Sequence, residues 1–211
     1  MDAKVVATSP KRTQAERTAE SDQRMLDAAI GLLVEKGAAR TTLKDVGEQA
    51  GYSRGLASYR FGNKAGLFGF IIRAVGEEWL GELQRAVKDK VGVDAIHAAT
   101  DAHYRFVSES AASIRAFYLL WFDSIGPEPE MHDVISKVHE RRRADVANWI
   151  RDGINAGTIN ASVDVESVAD QFCAAIIGIV YQWLATPDEN IKIYELHEGL
   201  KTQMQLALPA N

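Results

Sequence analysis

Apolar residues recur at spacings of three and four along almost the whole chain, and no segment alternates convincingly between apolar and polar residues. Such spacing lines one face of an α-helix, whose period is about 3.6 residues. Met25, Ala29 and Leu33 illustrate the pattern. The sequence therefore predicts an all-α fold of about nine helices, without a β-sheet.

The composition bounds the class of protein. Of 211 residues, 46% are hydrophobic, which is enough for a packed core and excludes global disorder. The single cysteine, Cys173, excludes a disulfide scaffold and predicts a cytoplasmic location. We expect no membrane partner, because the N-terminus lacks a signal-peptide pattern and the longest apolar run, 172–181, is shorter than the roughly 20 residues of a membrane span.

Capping and helix-breaking residues divide the chain into three predicted parts: a flexible arm over residues 1–22, a small helical domain over 23–68 and a larger helical domain over 69–211. The first helix is predicted from Asp22 to Gly37. Polar residues then offer N-caps to the next three helices, namely Thr41 and Thr42, Ser53, and Asn63. Further breaks are predicted at 126–129 and 186–188.

Charge is distributed unevenly. Residues 1–75 carry a balance of +4, which leaves −9 for the rest of a chain whose net charge is −5. A basic segment on an acidic body can bind a phosphate backbone locally while the body repels it. The asymmetry is compatible with nucleic-acid binding and does not establish it.

The segment Thr41–Arg60 has the pattern of a helix-turn-helix. Two short predicted helices are joined by a turn at Gly51, and the small Gly47 lies where the helices must approach closely. The second helix offers hydrogen-bond donors at Arg54 and Tyr59, and arginine can bond to guanine O6 and N7 in the major groove. The pattern favours DNA recognition by this helix.

The flanking residues sharpen this interpretation. The stretches Arg24-Met-Leu-Asp-Ala-Ala, Glu35-Lys-Gly, Thr41-Thr-Leu-Lys-Asp-Val, Ala50-Gly-Tyr-Ser-Arg-Gly and Tyr59-Arg-Phe-Gly-Asn-Lys-Ala-Gly-Leu-Phe resemble the N-terminal region of TetR-family transcriptional regulators. The resemblance covers about residues 23–70. It implies a homodimeric, ligand-responsive repressor that binds double-stranded DNA at a palindromic operator and uses no cofactor.

The resemblance also implies which residues contact DNA. Thr42, Tyr59 and Lys64 would contact phosphate, while Arg54 and Gly55 lie where base contacts and close backbone approach occur. An alternative remains for Tyr59, which can instead pack inside the small domain, because Ser58 stands where many members carry the aromatic residue. The full candidate set is Thr41, Thr42, Ser53, Arg54, Gly55, Leu56, Ser58, Tyr59, Arg60 and Lys64.

Large side chains in the second domain are candidates for a small-molecule effector site. An apolar or amphipathic effector would lie between helices, with His103 as a possible polar anchor and Arg115 as another. The same residues can equally form a packed core. The candidates are Phe106, Phe117, Trp121, Trp149, Phe172 and His103.

The predicted eighth helix is apolar nearly all round from 172 to 184, so it must be covered on more than one side. The resemblance implies that segments 164–185 and 193–207 form the homodimer interface, where Gly178 would permit close approach. A monomeric core is the alternative explanation.

Two other functions compete with regulation. Gly51-Tyr-Ser-Arg-Gly55 matches G-x-S-x-G, the nucleophile turn of α/β-hydrolases, but that motif requires a strand before Ser53. A helical adaptor without specific DNA binding is the other. The histidine spacing predicts no metal site, and Cys173 is expected to be a buried structural residue.

Overall fold

The computed structural model describes residues 13–125, 132–186 and 190–210. Within these ranges the chain forms nine α-helices and no strand, which confirms the predicted all-α class. In chain order they are α1 (Gln14–Arg40), α2 (Leu43–Gln49), α3 (Arg54–Phe61), α4 (Lys64–Val87), α5 (Gly92–Glu109), α6 (Ala111–Asp123), α7 (His132–Asn155), α8 (Val165–Ala185) and α9 (Asn190–Ala207).

Helix α1 begins earlier than its apolar pattern suggests. Thr13 forms a capping box with Glu16, in which the threonine hydroxyl accepts from the Glu16 amide and the Glu16 carboxylate accepts from the Thr13 amide. The prediction of a flexible arm is therefore wrong for residues 13–22, and residues 1–12 lie outside the described part of the chain. Near its other end α1 is interrupted at Gly37, whose φ of 77° suits glycine.

The first three helices pack into a small bundle around fully buried side chains such as Met25, Val46 and Ala57. At Gly47 an added Cβ would lie 3.0 Å from the carbonyl oxygen of Ser53, so a glycine is needed where α2 meets the start of α3. This apolar core continues without a break through Leu67 of α4 and Phe117 of α6, and α6 packs along much of α1.

A second apolar core joins α5, α7, α8 and α9 around Ile96, Ile150 and Phe172. Helix α8 is, by length and composition, the one described helix apolar enough to cross a bilayer, a test that a core helix also passes. It packs against α7 and α9, and 44% of its most apolar window is buried. The predicted helix breaks at 126–129 and 186–188 fall largely outside the described residues.

Candidate functional site

The helix-turn-helix is built by capping side chains on both of its helices. The hydroxyl of Thr42 accepts from the Asp45 amide and that of Ser53 from the Leu56 amide, each at 3.2 Å. Gly51, with a φ of 80°, makes the turn between them. The two caps fix where each helix starts. Helix α3 packs against α2 with one face and leaves its other face exposed.

The outward face of α3 presents Ser53, Arg54, Gly55 and Tyr59 to solvent. The side chain of Tyr59 is 86% exposed, so the alternative that it packs inside the domain is wrong. Leu56 and Ser58 are only half-buried, on the flanks of this face. An arginine, a hydroxyl, a phenol and a glycine backbone thus share one surface that a phosphate backbone and base edges can reach.

Thr41 does not belong to this surface. It is fully buried, and its hydroxyl donates to the Gly37 carbonyl at 2.9 Å. The prediction that Thr41 contacts DNA is wrong because its side chain closes the end of α1, while the neighbouring Thr42 alone caps α2.

Two cations of the predicted set are tied to α1. The Arg60 guanidinium lies 2.9 Å from a carboxylate oxygen of Asp22. The Lys64 ammonium donates to the Ala39 carbonyl at 2.9 Å and lies over the Phe68 ring. Both side chains therefore hold α3 and α4 against α1, in addition to any contact with a phosphate.

The hydrolase interpretation of Ser53 fails on local structure. The segment before this serine is α2, and its hydroxyl is a helix cap; no strand precedes it in this described stretch. The strained strand-to-helix turn that exposes a nucleophilic serine is therefore missing here.

A cavity of about 240 Å³ lies between α4, α5, α6 and α7. This volume is slightly below the roughly 300–1,000 Å³ of most ligand pockets. Its walls are mostly apolar, and three predicted residues, His103, Phe106 and Phe117, line it.

A smaller adjoining cavity of about 50 Å³ is lined by the predicted Trp149 and Phe172. Trp121 lines neither of these two cavities. Its ring instead packs against the Arg142 guanidinium and the His139 imidazole, at 5.0 and 5.1 Å between centres. Arg115 is also elsewhere, stacked on Trp183 at 5.1 Å.

Sequence reasoning missed the residues at the junction of the two cavities, Trp79, Leu83, Arg142 and Asp145, which line both together with His103. Arg142 donates to the Tyr118 hydroxyl at 3.0 Å. Burial raises the pKa of Asp145, against the opposing effect of Arg141. Three consecutive arginines, 141–143, do not indicate from the sequence which one points inward.

Two buried histidines lie beside this junction. His103 is 4% exposed and His197 of α9 is 1% exposed, with 2.9 Å between Nδ1 of the former and Nε2 of the latter. Nδ1 of His197 lies 2.7 Å from the Ile193 carbonyl oxygen. Burial lowers the pKa of both, and for His103 the nearby His197 and Arg142 lower the pKa further. Both imidazoles are therefore neutral at pH 7.

The described residues contain neither a metal-binding group of side chains nor a reactive thiol. No group of three or more His, Cys, Asp or Glu side chains in those ranges is arranged to hold a metal ion. Cys173 is buried, as predicted, and desolvation raises its pKa to about 11, so the thiol is not reactive near neutral pH.

One face of α8 is largely exposed among the described residues, although the Tyr181 ring contacts the Phe122 ring of α6, with 6.1 Å between centroids. Ala174, Tyr181 and Ala185 are exposed there, and Tyr181 is 61% exposed. An added Cβ on Gly178, which lies between them, would meet no atom within 4 Å. The exposed face thus combines small apolar residues and Tyr181 with the polar side chains of Gln171 and Gln182.

Known proteins with similar sequences are transcriptional regulators of the helix-turn-helix type. The sequence profile of "Bacterial regulatory proteins, tetR family" matches residues 25–69. The HTH-type transcriptional regulator CymR of Pseudomonas putida is 34% identical over 150 residues, covering 67% of this chain and 70% of that protein. The HTH-type transcriptional regulator TtgR of Pseudomonas putida is 24% identical over 202 residues, covering 92% of this chain and 95% of that protein.

Solved structures share the fold. A structure of a TetR-family regulator from Rhodococcus sp. superposes with a TM-score of 0.76 at 18% identity, covering 90% of this chain and all of that one. A complex of SmeT, the repressor of a Stenotrophomonas maltophilia multidrug efflux pump, with triclosan has a TM-score of 0.73 at 19% identity, covering 90% of this chain and 95% of that one. With its helix-turn-helix, nine-helix fold and these relatives, the chain belongs to the TetR family of transcriptional regulators, which are not enzymes.

Proposed function

We propose that this protein is a cytoplasmic repressor that binds a palindromic operator as a homodimer and is released by a small apolar or amphipathic effector. The observation that carries the proposal is the course of α4. This helix begins beside α3 at Lys64, and its side chains Ile72, Val75 and Trp79 line the cavity. One rigid helix therefore adjoins both the proposed DNA surface and the proposed effector site.

A second helix provides a parallel connection. Phe117 and Tyr118 of α6 line the cavity, and α6 packs along α1, whose end is closed by Thr41 before α2 begins. An effector that displaces α4 or α6 would therefore move the helix-turn-helix. The protein would then have two conformations, one that binds the operator and one that does not. The effector lowers operator affinity only by as much as it binds the second conformation more tightly than the first.

On the DNA side, Arg54 is the proposed base-reading residue, and Tyr59 and Thr42 are the proposed phosphate contacts. All three are exposed on one surface. Ser53, Gly55, Leu56 and Ser58 are proposed to frame the contact, because the free amides at the start of a helix favour phosphate. A dimer would place its two recognition helices about 34–36 Å apart, in successive major grooves.

The dimer is proposed to form through α8 and α9. On α8 the small residues Ala174 and Ala185 and the ring of Tyr181 are exposed, and on α9 Leu206 is 78% exposed. Small residues such as Gly178 let two helices approach closely. The monomeric-core alternative is less favourable, because among the described residues an added Cβ on Gly178 would meet no atom within 4 Å.

Fluorescence anisotropy with labelled DNA flanking the protein's own gene tests the proposal, with a scrambled duplex as control and a series of salt concentrations. We expect tight binding to one palindromic fragment by a dimer. Equal, salt-erased affinity for every duplex would leave only attraction to phosphate and would favour the adaptor without specific recognition.

A further inference from the structure

The first two turns of α1 lie outside the packed core of the small helical domain. From Thr13 to Ala19 the side chains are exposed, except that of Thr18, which is half-buried, and the first buried apolar residue of the helix is Met25. The family profile also begins at residue 25, so these turns precede the region that it describes. A helical segment exposed on nearly all sides adds little apolar burial to the fold, so its surface can meet a partner.

One face of these turns continues the face of α1 that contacts α3. The Ser21 hydroxyl accepts from the Arg60 guanidinium in the last turn of α3, at 3.4 Å. Residues three and four positions apart share one face of a helix, so Arg17 and Gln14 follow Ser21 toward the start of α1. Both are exposed, and the Arg17 guanidinium donates to the Gln14 side-chain carbonyl at 3.1 Å. An exposed arginine therefore lies one turn beyond the contact between α1 and α3.

The charges at the start of α1 leave this arginine as a cation with a neutral partner. Each carboxylate of residues 13–22 is held by a donor within the protein, namely Glu16 by the Thr13 amide, Glu20 by Arg24 and Asp22 by Arg60. Arg17, by contrast, is bonded to an uncharged amide. The preceding residues 1–12 add three cations and one acid to the sequence, namely Lys4, Lys11 and Arg12 against Asp2. The chemistry of this surface therefore fits an anionic partner.

The position of the surface decides which anionic partner fits. Tyr59, the most exposed of the proposed phosphate contacts, directly precedes Arg60, whose side chain reaches Ser21 of α1. The start of α1 therefore adjoins the end of the outward face of α3. A duplex bound by α3 carries its phosphate backbone along the edge of the same groove, within reach of an arginine beside that helix.

We propose that the start of α1 is a second DNA-contacting element, in which Arg17 binds a backbone phosphate beside the groove that α3 occupies. The inference rests on the proposed function, because α3 is the recognition helix only if the protein binds an operator. A phosphate contact carries no sequence information, so Arg17 adds affinity for any duplex and leaves the base preference to α3.

Fluorescence anisotropy of full-length Arg17→Gln tests the proposal, with the operator fragment and a scrambled duplex at several salt concentrations. We expect the affinity for both duplexes to fall at least about fivefold at low salt, and the salt slope to fall by about one for each protomer. Lys88→Gln is the charge-matched control, because Lys88 is exposed at the opposite end of α4 from α3. It should leave both quantities unchanged. An unchanged affinity and slope for Arg17→Gln would overturn the proposal, and so would a changed base preference with an unchanged slope.

Moving the cation along α1 separates a local contact from an effect of net charge. Added to Arg17→Gln, the substitution Gln14→Arg restores the charge on the same face and should recover at least half of the lost slope. Ala19→Arg restores it about 200° round the helix, since α-helices have about 3.6 residues per turn, and should not. Equal recovery by the two substitutions would show that net charge alone acts, and would overturn the proposal.

Two further readings keep this inference separate from the proposed function. Urea unfolding of each variant should match that of the wild type, because the substituted side chains are exposed. Wild-type protein that binds the operator and the scrambled duplex equally would contradict the proposed function. Specific binding that Arg17→Gln leaves unchanged would contradict only the role of α1.

Discussion

Nε of Arg60 lies 2.9 Å from a carboxylate oxygen of Asp22, and this pair joins the last turn of α3 to α1. Arg60 also approaches the Ser21 hydroxyl at 3.4 Å. The cation at this end of the recognition helix thus orients α3 relative to α1, whereas Arg54 at the other end lies exposed on the outward face.

The ion pair should couple energetically. Both side chains are 30% exposed, so solvent screens part of the attraction, and we expect a coupling of about 0.5–1 kcal/mol. A double-mutant cycle with Asp22→Asn and Arg60→Gln, followed by urea unfolding, measures it. The helical pair Lys44–Glu48, at 3.8 Å and well exposed, is the control and should couple less. If the effects of Asp22→Asn and Arg60→Gln on the free energy of unfolding are strictly additive, the ion pair does not stabilise the contact between α1 and α3.

Arg54→Ala should weaken operator binding by about 1–3 kcal/mol and relax the preference at one base position, because a bidentate guanine contact discriminates by that amount. Lys64→Ala should weaken binding to all sequences and lower the salt slope by about one. Anisotropy against single-base operator variants separates the two effects. Arg105→Ala, an exposed substitution on α5, is the control. A uniform loss for Arg54→Ala would show that it contacts phosphate only.

Gly66→Ala should destabilise the protein by more than about 2 kcal/mol. An added Cβ would lie 2.0 Å from the Phe61 carbonyl oxygen, and a backbone atom at this tight connection cannot move without displacing α3 from α4. Gly76→Ala on the same helix is the matched control, because its Cβ meets no atom within 4 Å and alanine favours a helix by up to about 1 kcal/mol. Thermal and urea unfolding compare the two, and equal stability would contradict the clash.

Stability should fall as the pH drops below about 6.5, the usual histidine pKa. The folded-state pKa values of His103 and His197 are lowered, so the unfolded chain binds protons that the folded chain excludes. The contribution is fully present above the unfolded pKa and is lost toward the folded pKa, with a slope of up to about 1.4 kcal/mol per pH unit for each histidine.

Urea unfolding between pH 7.5 and 5.5 measures this slope. His103→Phe should make it shallower, while His132→Gln, which removes a side chain 69% exposed, should not. An unchanged slope in His103→Phe would show that burial does not lower the pKa of this imidazole relative to the unfolded chain.

Tyr181→Asp should dissociate the proposed dimer, since it would place an unpaired charge in the proposed interface. We expect a dimer dissociation constant at least about tenfold higher by analytical ultracentrifugation, with operator affinity reduced in parallel. Val91→Asp is the control, because Val91 is another exposed apolar residue, 39% exposed, away from α8 and α9. An unchanged dissociation constant for Tyr181→Asp would place the interface elsewhere.

Local signals predicted most of the helical framework. Ser53 and Asn63 each cap the helix that follows them, as the sequence indicates, since a cap depends on residues within three positions. The start of α1 was equally readable from Thr13 and Glu16, which carry the capping-box spacing. Apolar periodicity alone does not reveal this start, because the first turn of α1 is polar.

The sequence alone does not show which of two or three adjacent residues of the same type is buried. Thr41 and Thr42 are both able to cap a helix, and only the packing of α1 against α2 makes one of them buried. In the same way Arg142 differs from Arg141 and Arg143 because the Trp121 and Tyr118 rings of α6 lie opposite it.

The sequence by itself determined the helical class, the helix-turn-helix and the family, because these depend on spacings within one or two turns. Only the tertiary structure decided the polar chemistry of the cavity. His103 and His197 are 94 positions apart, and their hydrogen bond exists because α5 and α9 pack side by side. Contacts between distant helices depend on how the apolar faces fit together, and no short-range pattern encodes that fit.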